Sequence, residues 1–116
     1  MKFTEWPKGV GLMRSADDAA LVVEGCYSKG VDSALLHAEN LTENFFDLSS
    51  GEAGLILQKL RNYRIRIAVV YSPENVRFSS RFGEMASEEG RTGYFRLFES
   101  EEAAREWLSS DRAQEG

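Results

Sequence analysis

The sequence has 116 residues, 42% of them hydrophobic, and a formal net charge of −5. This length suits one domain with its own core, and the acidic balance argues against a nucleic-acid-binding protein. No apolar run approaches the roughly 20 residues of a membrane-spanning helix, and the N-terminus lacks a signal peptide's apolar segment. The lone Cys26 cannot form an internal disulfide and is interpreted as a buried thiol. Because export and disulfide signals are lacking, the sequence predicts a cytoplasmic protein without membrane association.

Strand and helix patterns alternate along the chain. In chain order the predicted elements are an edge segment or loose arm over 1–9, a strand over 10–14, a helix over 15–28 ended by Gly30, a strand over 31–37, a helical turn over 42–46, a helix over 50–63, a strand over 65–71, a helix from Ser79 or Ser80 to Glu89 stopped by Gly90, a strand over 94–98, and a helix from Ser100 to about 108. Residues 110–116 are predicted to be a frayed tail.

The helix over 50–63 carries the clearest amphipathic pattern. Its apolar residues recur at intervals of three and four, which places them on one face: Ala53, Ile56, Leu57 and Leu60. Ser49 and Glu52 have the spacing of a capping box, which predicts a helix start at Ser49–Ser50. Gly54 is interpreted as allowing close packing.

The alternation of strands and helices predicts the fold class. Such an order gives a mostly parallel sheet with right-handed crossovers. We expect a single-domain α/β sandwich over residues 10–109, with four strands, or five if the N-terminal segment adds one, and about four helices.

The segment from Leu35 to Val70 closely resembles the bacterial domain of unknown function (DUF) 4180 family. Its motif blocks, LLH-E-NL, FFDL, Ser-Gly, AG-ILQK and NY, follow the family's order at fixed spacing. The resemblance extends over about residues 10–108. It implies no established activity.

The run from Phe46 to Gly51 is also similar to the Asp-Ser-Ser-Gly turn of STAS domains, which include the anti-sigma-factor antagonists. In those proteins a partner kinase phosphorylates a serine at this helix N-terminus, and the phosphate controls partner binding. Ser50, directly before Gly51, matches that serine, although Leu48 is inserted after Asp47 relative to the STAS pattern. The similarity implies a STAS-like fold, a protein partner, and a phosphorylation switch at Ser50 or Ser49. The alternative is that both serines only cap the helix.

A second group of candidate residues follows the predicted strands. The carboxyl ends of parallel strands meet at one edge of a sheet, where open α/β folds usually bind ligands. Residues expected to converge there as a ligand-binding edge are His37, Glu39, Asn40, Asp47, Gly51 and Tyr71, with Ser49 and Ser50 beside them.

Three functions remain open from the sequence. The first is a non-enzymatic regulatory module that binds a protein, with homodimerisation as a further expectation. The second is a binder of a small anionic ligand at the carboxyl edge. The third is an enzyme that uses His37 with Glu39 or Asp47. The sequence shows no constellation of catalytic residues, no metal cluster and no cofactor motif, so it predicts no metal ion and no cofactor.

Overall fold

The computed structural model describes residues 3–7 and 16–110. The predicted strand over 10–14, the start of the predicted helix at Ser15, and residues 111–116 of the predicted tail lie outside these ranges. The strands are β1 (Thr4–Glu5), β2 (Ser33–His37), β3 (Arg66–Val70) and β4 (Phe95–Phe98). The α-helices are α1 (Ala19–Lys29), α2 (Glu52–Asn62), α3 (Ser80–Thr92) and α4 (Glu101–Ser109).

All four strands run parallel in one sheet, in the order β1-β2-β3-β4. Leu35 of β2 lies opposite Ala68 of β3, and Val69 of β3 lies opposite Leu97 of β4. The predicted α/β fold with a four-stranded parallel sheet is confirmed. The edge strand β1 lies within the segment 1–9, which was interpreted as an edge segment or an arm.

Helices cover both faces of the sheet. Alternate strand residues face opposite ways, so Leu36, Ile67 and Phe95 join the core that contains α1, α2 and α3. Their neighbours Leu35 and Ala68 form a second, smaller core with α4. The two covered faces explain why β2 and β3 read as continuous apolar runs rather than as alternating patterns.

Several predicted helix boundaries are confirmed, and two differ from the prediction. Gly30 ends α1 with φ +66°, and the hydroxyl of Ser100 caps α4 by accepting from the backbone N–H of Ala103. The predicted stop of α3 at Gly90 is wrong, because the helix continues to Thr92 and ends at Gly93 with φ +82°. A glycine inside a helix costs only about 1 kcal/mol relative to alanine, so Gly90 weakens α3 without stopping it.

The start of α2 also differs from the prediction. The helix begins at Glu52, after Gly51 in the left-handed conformation, and the predicted capping box between Ser49 and Glu52 is not formed. Three short 3₁₀ turns separate β2 from α2: Ala38–Asn40, Glu43–Phe46 and Leu48–Ser50. The interpretation of Gly54 is wrong too, because a β-carbon there would meet nothing within 4 Å.

Candidate functional site

A cavity of about 500 Å³ lies at the carboxyl ends of β2 and β3, between the loops that follow them and the start of α4. Its polar lining consists of His37, Glu39, Tyr71, Ser72, Asn75, Glu99 and Glu101. Its apolar lining consists of Ala38, Val70, Pro73 and Val76. The cavity therefore occupies the edge at which open parallel sheets usually bind ligands.

His37, the last residue of β2, is held rigidly in the wall of this cavity. Only 4% of its surface is exposed. The Asn40 side chain accepts a hydrogen bond from the backbone N–H of His37 at 2.7 Å, and the imidazole accepts one from the backbone N–H of Asn40. Asn40, itself fully buried, donates its side-chain amide to the carbonyl of Pro7 at 3.0 Å. These bonds fix the orientation of the imidazole ring.

The same bonds fix the proton on the imidazole. Nε2 of His37 is the nitrogen that faces Glu101, with 3.9 Å between Nε2 and Oε1. The nitrogen that accepts from the main chain of Asn40 is therefore Nδ1. A neutral imidazole has one acceptor and one N–H, so its N–H is on Nε2, on the side of Glu101.

Glu101 is the first member of a chain of charges that leads to the sheet edge. Its carboxylate accepts from the Arg105 guanidinium at 3.1 Å. Arg105 also binds both carboxylate oxygens of Glu5, at 3.1 and 3.0 Å, which is the two-point geometry that guanidinium and carboxylate favour. The Arg105 hydrogen bonds lower the pKa of the Glu5 carboxyl, and burial partly opposes them.

On another wall of the cavity, Tyr71 is paired with Glu99. Burial raises the pKa of the Tyr71 phenol, and the charge and hydrogen bond of Glu99 raise it further. The phenol therefore keeps its proton and donates a hydrogen bond to the Glu99 carboxylate. Glu99 follows β4, so this pair closes the cavity on the side of the fourth strand.

The structure brings together some of the residues that the sequence placed at this edge. His37, Glu39 and Tyr71 line the cavity, and Asn40 lies behind His37 as a buried support. Asp47 lines a separate cavity of about 320 Å³, together with Arg77 and Phe78. Within the described ranges, the carboxyl-edge cavity has no lining residue from Asp47–Gly51. The 3₁₀ turns over 43–50, with Phe45 and Phe46 in the core, carry the chain to this separate surface before α2 begins.

The serine turn is exposed, and its hydroxyls are bonded locally. Asp47 accepts from both the backbone N–H and the hydroxyl of Ser49. The Ser50 hydroxyl donates toward two carbonyls, those of Asn44 at 2.6 Å and Asp47 at 2.7 Å, and accepts from the N–H of Glu52. Ser50 thus connects the turn to the first residue of α2.

The sequence reasoning missed several polar residues of the cavity lining and of its charge network: Ser72, Asn75, Glu99 and Glu101 in the lining, and Glu5 and Arg105 beside it. A signal for Glu99 was present, because it directly follows a predicted strand, as His37 does. Glu101 follows the predicted cap Ser100. Glu5 belongs to a strand of two residues, which is too short for a periodic pattern.

Within residues 3–7 and 16–110, the structure contains neither a cluster suited to a metal ion nor a helix suited to span a membrane. No group of three or more His, Cys, Asp or Glu side chains there is arranged to hold a metal ion. No helix in the same ranges combines the length and the apolar character needed to cross a bilayer.

Comparison with known proteins gives one result. The family model described as "Domain of unknown function (DUF4180)" matches residues 2–108, which is nearly the whole chain. The chain has no significant match among the curated proteins or among the solved structures. The motif blocks between Leu35 and Val70 had indicated the same family, and the chain belongs to the DUF4180 family.

Proposed function

We propose that this protein is a non-enzymatic regulatory module that binds a small molecule in the carboxyl-edge cavity. The observation that carries the proposal is a fixed, buried imidazole, that of His37, in the wall of a cavity of about 500 Å³. That volume lies within the range of small-molecule sites, which combine apolar walls with a few oriented polar groups.

The geometry supports binding better than acid–base catalysis. An imidazole that acts as a general base is usually oriented by a carboxylate within hydrogen-bond reach, about 2.6–3.2 Å. One nitrogen of His37 is occupied by the main chain, and the other carries the proton and stands 3.9 Å from Glu101. The carboxylate that the structure places near this imidazole is that of Glu101, and not that of Glu39 or Asp47 as the enzyme hypothesis required.

The experiment compares ligand-induced stabilisation in the protein and in a variant with a blocked cavity. Ser72 is an exposed lining residue, so Ser72→Trp fills the cavity without touching the core. A small-molecule library is screened by thermal shift, since a ligand that binds only the folded state raises the melting temperature. We expect ligands that stabilise the wild type and lose their effect in Ser72→Trp.

The control is Gln58→Trp, which places the same side chain on the exposed face of α2. It should keep the ligand response of the wild type. A library without any stabilising compound, or one whose active compounds stabilise Ser72→Trp equally, would exclude the cavity as a ligand site.

A second candidate function is partner binding through the serine turn, on the pattern of the STAS-like regulators. Ser49 and Ser50 are both exposed just before α2, where a phosphate would meet the positive end of the helix dipole. A phosphate on Ser50 would also replace the hydroxyl that holds Asn44, Asp47 and Glu52 together. Phosphorylation would therefore reshape the surface that a protein partner meets.

This candidate is tested by comparing the partners captured by the wild type, Ser50→Ala and Ser50→Asp. If phosphorylation of Ser50 controls partner binding, Ser50→Asp should lose or gain a captured partner, whereas Ser50→Ala should capture the same partners as the wild type. Equal capture by all three proteins would rule out the switch. Ser28→Asp, an exposed serine on α1, controls for added surface charge.

A further inference from the structure

The charges around the carboxyl-edge cavity have one sign. Three carboxylates line it, those of Glu39, Glu99 and Glu101, and among the described residues the lining contains no lysine or arginine. Arg105 pairs with Glu101 but is not itself a lining residue. Among the lining residues, no arginine is present to pair with Glu39 or Glu99. One of the functions that the sequence left open was the binding of an anionic ligand at this edge, but carboxylates repel anions and favour a cation.

A second observation points to a polar ligand at the same place. His37 is more than nine-tenths buried, and its Nε2–H makes no hydrogen bond to a residue in the described ranges. The nearest carboxylate oxygen recorded for it, Oε1 of Glu101, stands 3.9 Å away, beyond hydrogen-bond length. Among the described residues no fully buried side-chain nitrogen or oxygen lacks a hydrogen-bond partner, so Nε2 opens onto the cavity, where a ligand atom can accept its hydrogen bond.

The gap between His37 and Glu101 has the size of one hydroxyl group. An oxygen at about 2.8 Å from each of the two atoms fits between them when its two hydrogen bonds meet near a right angle. The group must accept from Nε2–H and donate to the carboxylate, and a hydroxyl does both. An ammonium group has no lone pair to offer Nε2–H, so it does not suit this gap and belongs beside Glu99 or Glu39.

From these observations we infer that the ligand is a small amino alcohol: an organic cation whose hydroxyl lies between His37 and Glu101 and whose ammonium group faces the remaining carboxylates. The inference rests on the proposed function and names the ligand class for that site. Val70, Pro73 and Val76 supply an apolar wall for the carbon skeleton.

Four probes with one phenyl skeleton separate the contributions of charge and hydroxyl. Phenylethanolamine has both the ammonium and the hydroxyl, phenethylamine lacks the hydroxyl, phenylethylene glycol lacks the charge, and mandelate carries the opposite charge. Binding is followed by shifts of backbone amide resonances in a titration of the full chain. We expect phenylethanolamine to shift the resonances of Glu39, Ser72 and Glu101 and to bind about tenfold more tightly than phenethylamine or the glycol. Mandelate should bind most weakly.

Variants assign the effect to the cavity. Glu101→Gln should weaken phenylethanolamine about tenfold and remove its advantage over phenethylamine, because both the hydroxyl and Glu101 are needed for that hydrogen bond. Glu99→Gln should reduce the advantage of phenylethanolamine over the uncharged glycol. Glu24→Gln removes one negative charge from the exposed face of α1 and should leave the affinity unchanged. Circular dichroism verifies that each variant is folded.

The outcomes distinguish the inference from the proposed function. If mandelate or the glycol shifts the cavity resonances at equal or lower concentration than phenylethanolamine, the amino-alcohol inference is overturned while the cavity remains a ligand site. If phenylethanolamine binds equally well to wild type and Glu101→Gln, the inference is also overturned. If no probe and no library compound shifts a cavity resonance, both fail.

Discussion

The indole ring of Trp6 lies directly over the α-carbon of Gly25, so that a β-carbon on Gly25 would stand 2.6 Å from Cη2 of Trp6. Trp6 directly follows the edge strand β1 and donates its backbone N–H to Leu35 of β2. Gly25 lies in the middle of α1, where glycine is otherwise unfavourable. The absence of a side chain at this one helical position lets the end of the edge strand pack on α1.

Gly25→Ala should therefore lower the free energy of unfolding by about 1–2 kcal/mol, since overpacking costs more than the gain in helix propensity. The matched variant is Gly54→Ala in α2, where the new methyl group meets nothing within 4 Å. Gly54→Ala should raise the free energy of unfolding by about 0.5–1 kcal/mol. Urea unfolding of both variants measures the difference. Equal effects of the same sign would show that the Trp6 contact imposes no constraint.

Arg66 is buried at the start of β3 and holds the ends of two helices. Its Nε donates to the carbonyl of Gly93 at 3.0 Å, its terminal nitrogen donates to the carbonyl of Trp107 at 3.2 Å, and its guanidinium lies 4.3 Å from the centre of the Trp107 ring. Lysine cannot bind both carbonyls in this fork geometry. We expect Arg66→Lys to lower the free energy of unfolding by about 2–4 kcal/mol.

Arg91→Lys is the control for this substitution, because the Arg91 side chain is 80% exposed and pairs with Glu88 on the helix surface. It should change the stability by less than about 0.5 kcal/mol. Denaturant unfolding of the two variants under the same conditions gives the comparison. A loss in Arg66→Lys no larger than in Arg91→Lys would contradict the structural role of Arg66.

The fold was largely predictable, because its determinants are local. The apolar runs of β2 and β3 and the amphipathic pattern of α2 predicted the elements, and their alternation predicted the parallel sheet. Errors occurred where tertiary contacts outweigh local preference. A strand as short as Thr4–Glu5 exists only because β2 pairs with it, and α3 continues past Gly90 as far as Gly93.

The candidate site was predictable only in part, because it combines residues from distant parts of the chain. The rule that parallel strands end at one edge anticipated that His37, Glu39 and Tyr71 would lie near one another, and all three line the cavity. It could not show that the 3₁₀ turns carry Ser50 to a different surface. Nor could it show that Glu101 and Arg105 of α4 reach back to Glu5, which is 100 positions away from Arg105.

The ion pair of Glu5 and Arg105 should make part of the stability depend on pH. The pKa of Glu5 is lower in the folded protein than its ordinary value of 4.5, chiefly because of the Arg105 hydrogen bonds. A depressed carboxyl pKa contributes stability above the unfolded-state value, and that contribution is lost as the pH falls through the folded-state value. A double-mutant cycle with Glu5→Gln and Arg105→Gln should show favourable coupling near neutral pH that disappears under strongly acidic conditions.

Added salt provides the check on this assignment. Because both side chains are partly exposed, the coupling measured near neutral pH should shrink as the ionic strength approaches about 1 M. Thermal unfolding of the four proteins in the cycle gives both dependences. Coupling that stays constant from neutral to acidic pH would show that charge does not hold β1 to α4.

The thiol of Cys26 should make the stability fall under alkaline conditions. Cys26 is fully buried, as the sequence predicted, and burial raises the pKa of its thiol from 9.0 to about 11. The unfolded chain therefore loses this proton at a lower pH than the folded protein. The thiol's contribution to the free energy of unfolding is present below pH 9.0 and is lost as the pH rises toward 11. The loss amounts to roughly 3 kcal/mol, since the pKa rises by about two units and each unit corresponds to about 1.4 kcal/mol. Between pH 9 and 11, the free energy of unfolding measured with urea should decline more steeply for the wild type than for Cys26→Ala, which shares every other titrating group. Parallel declines would show that the thiol ionises as easily in the folded protein as in the unfolded chain.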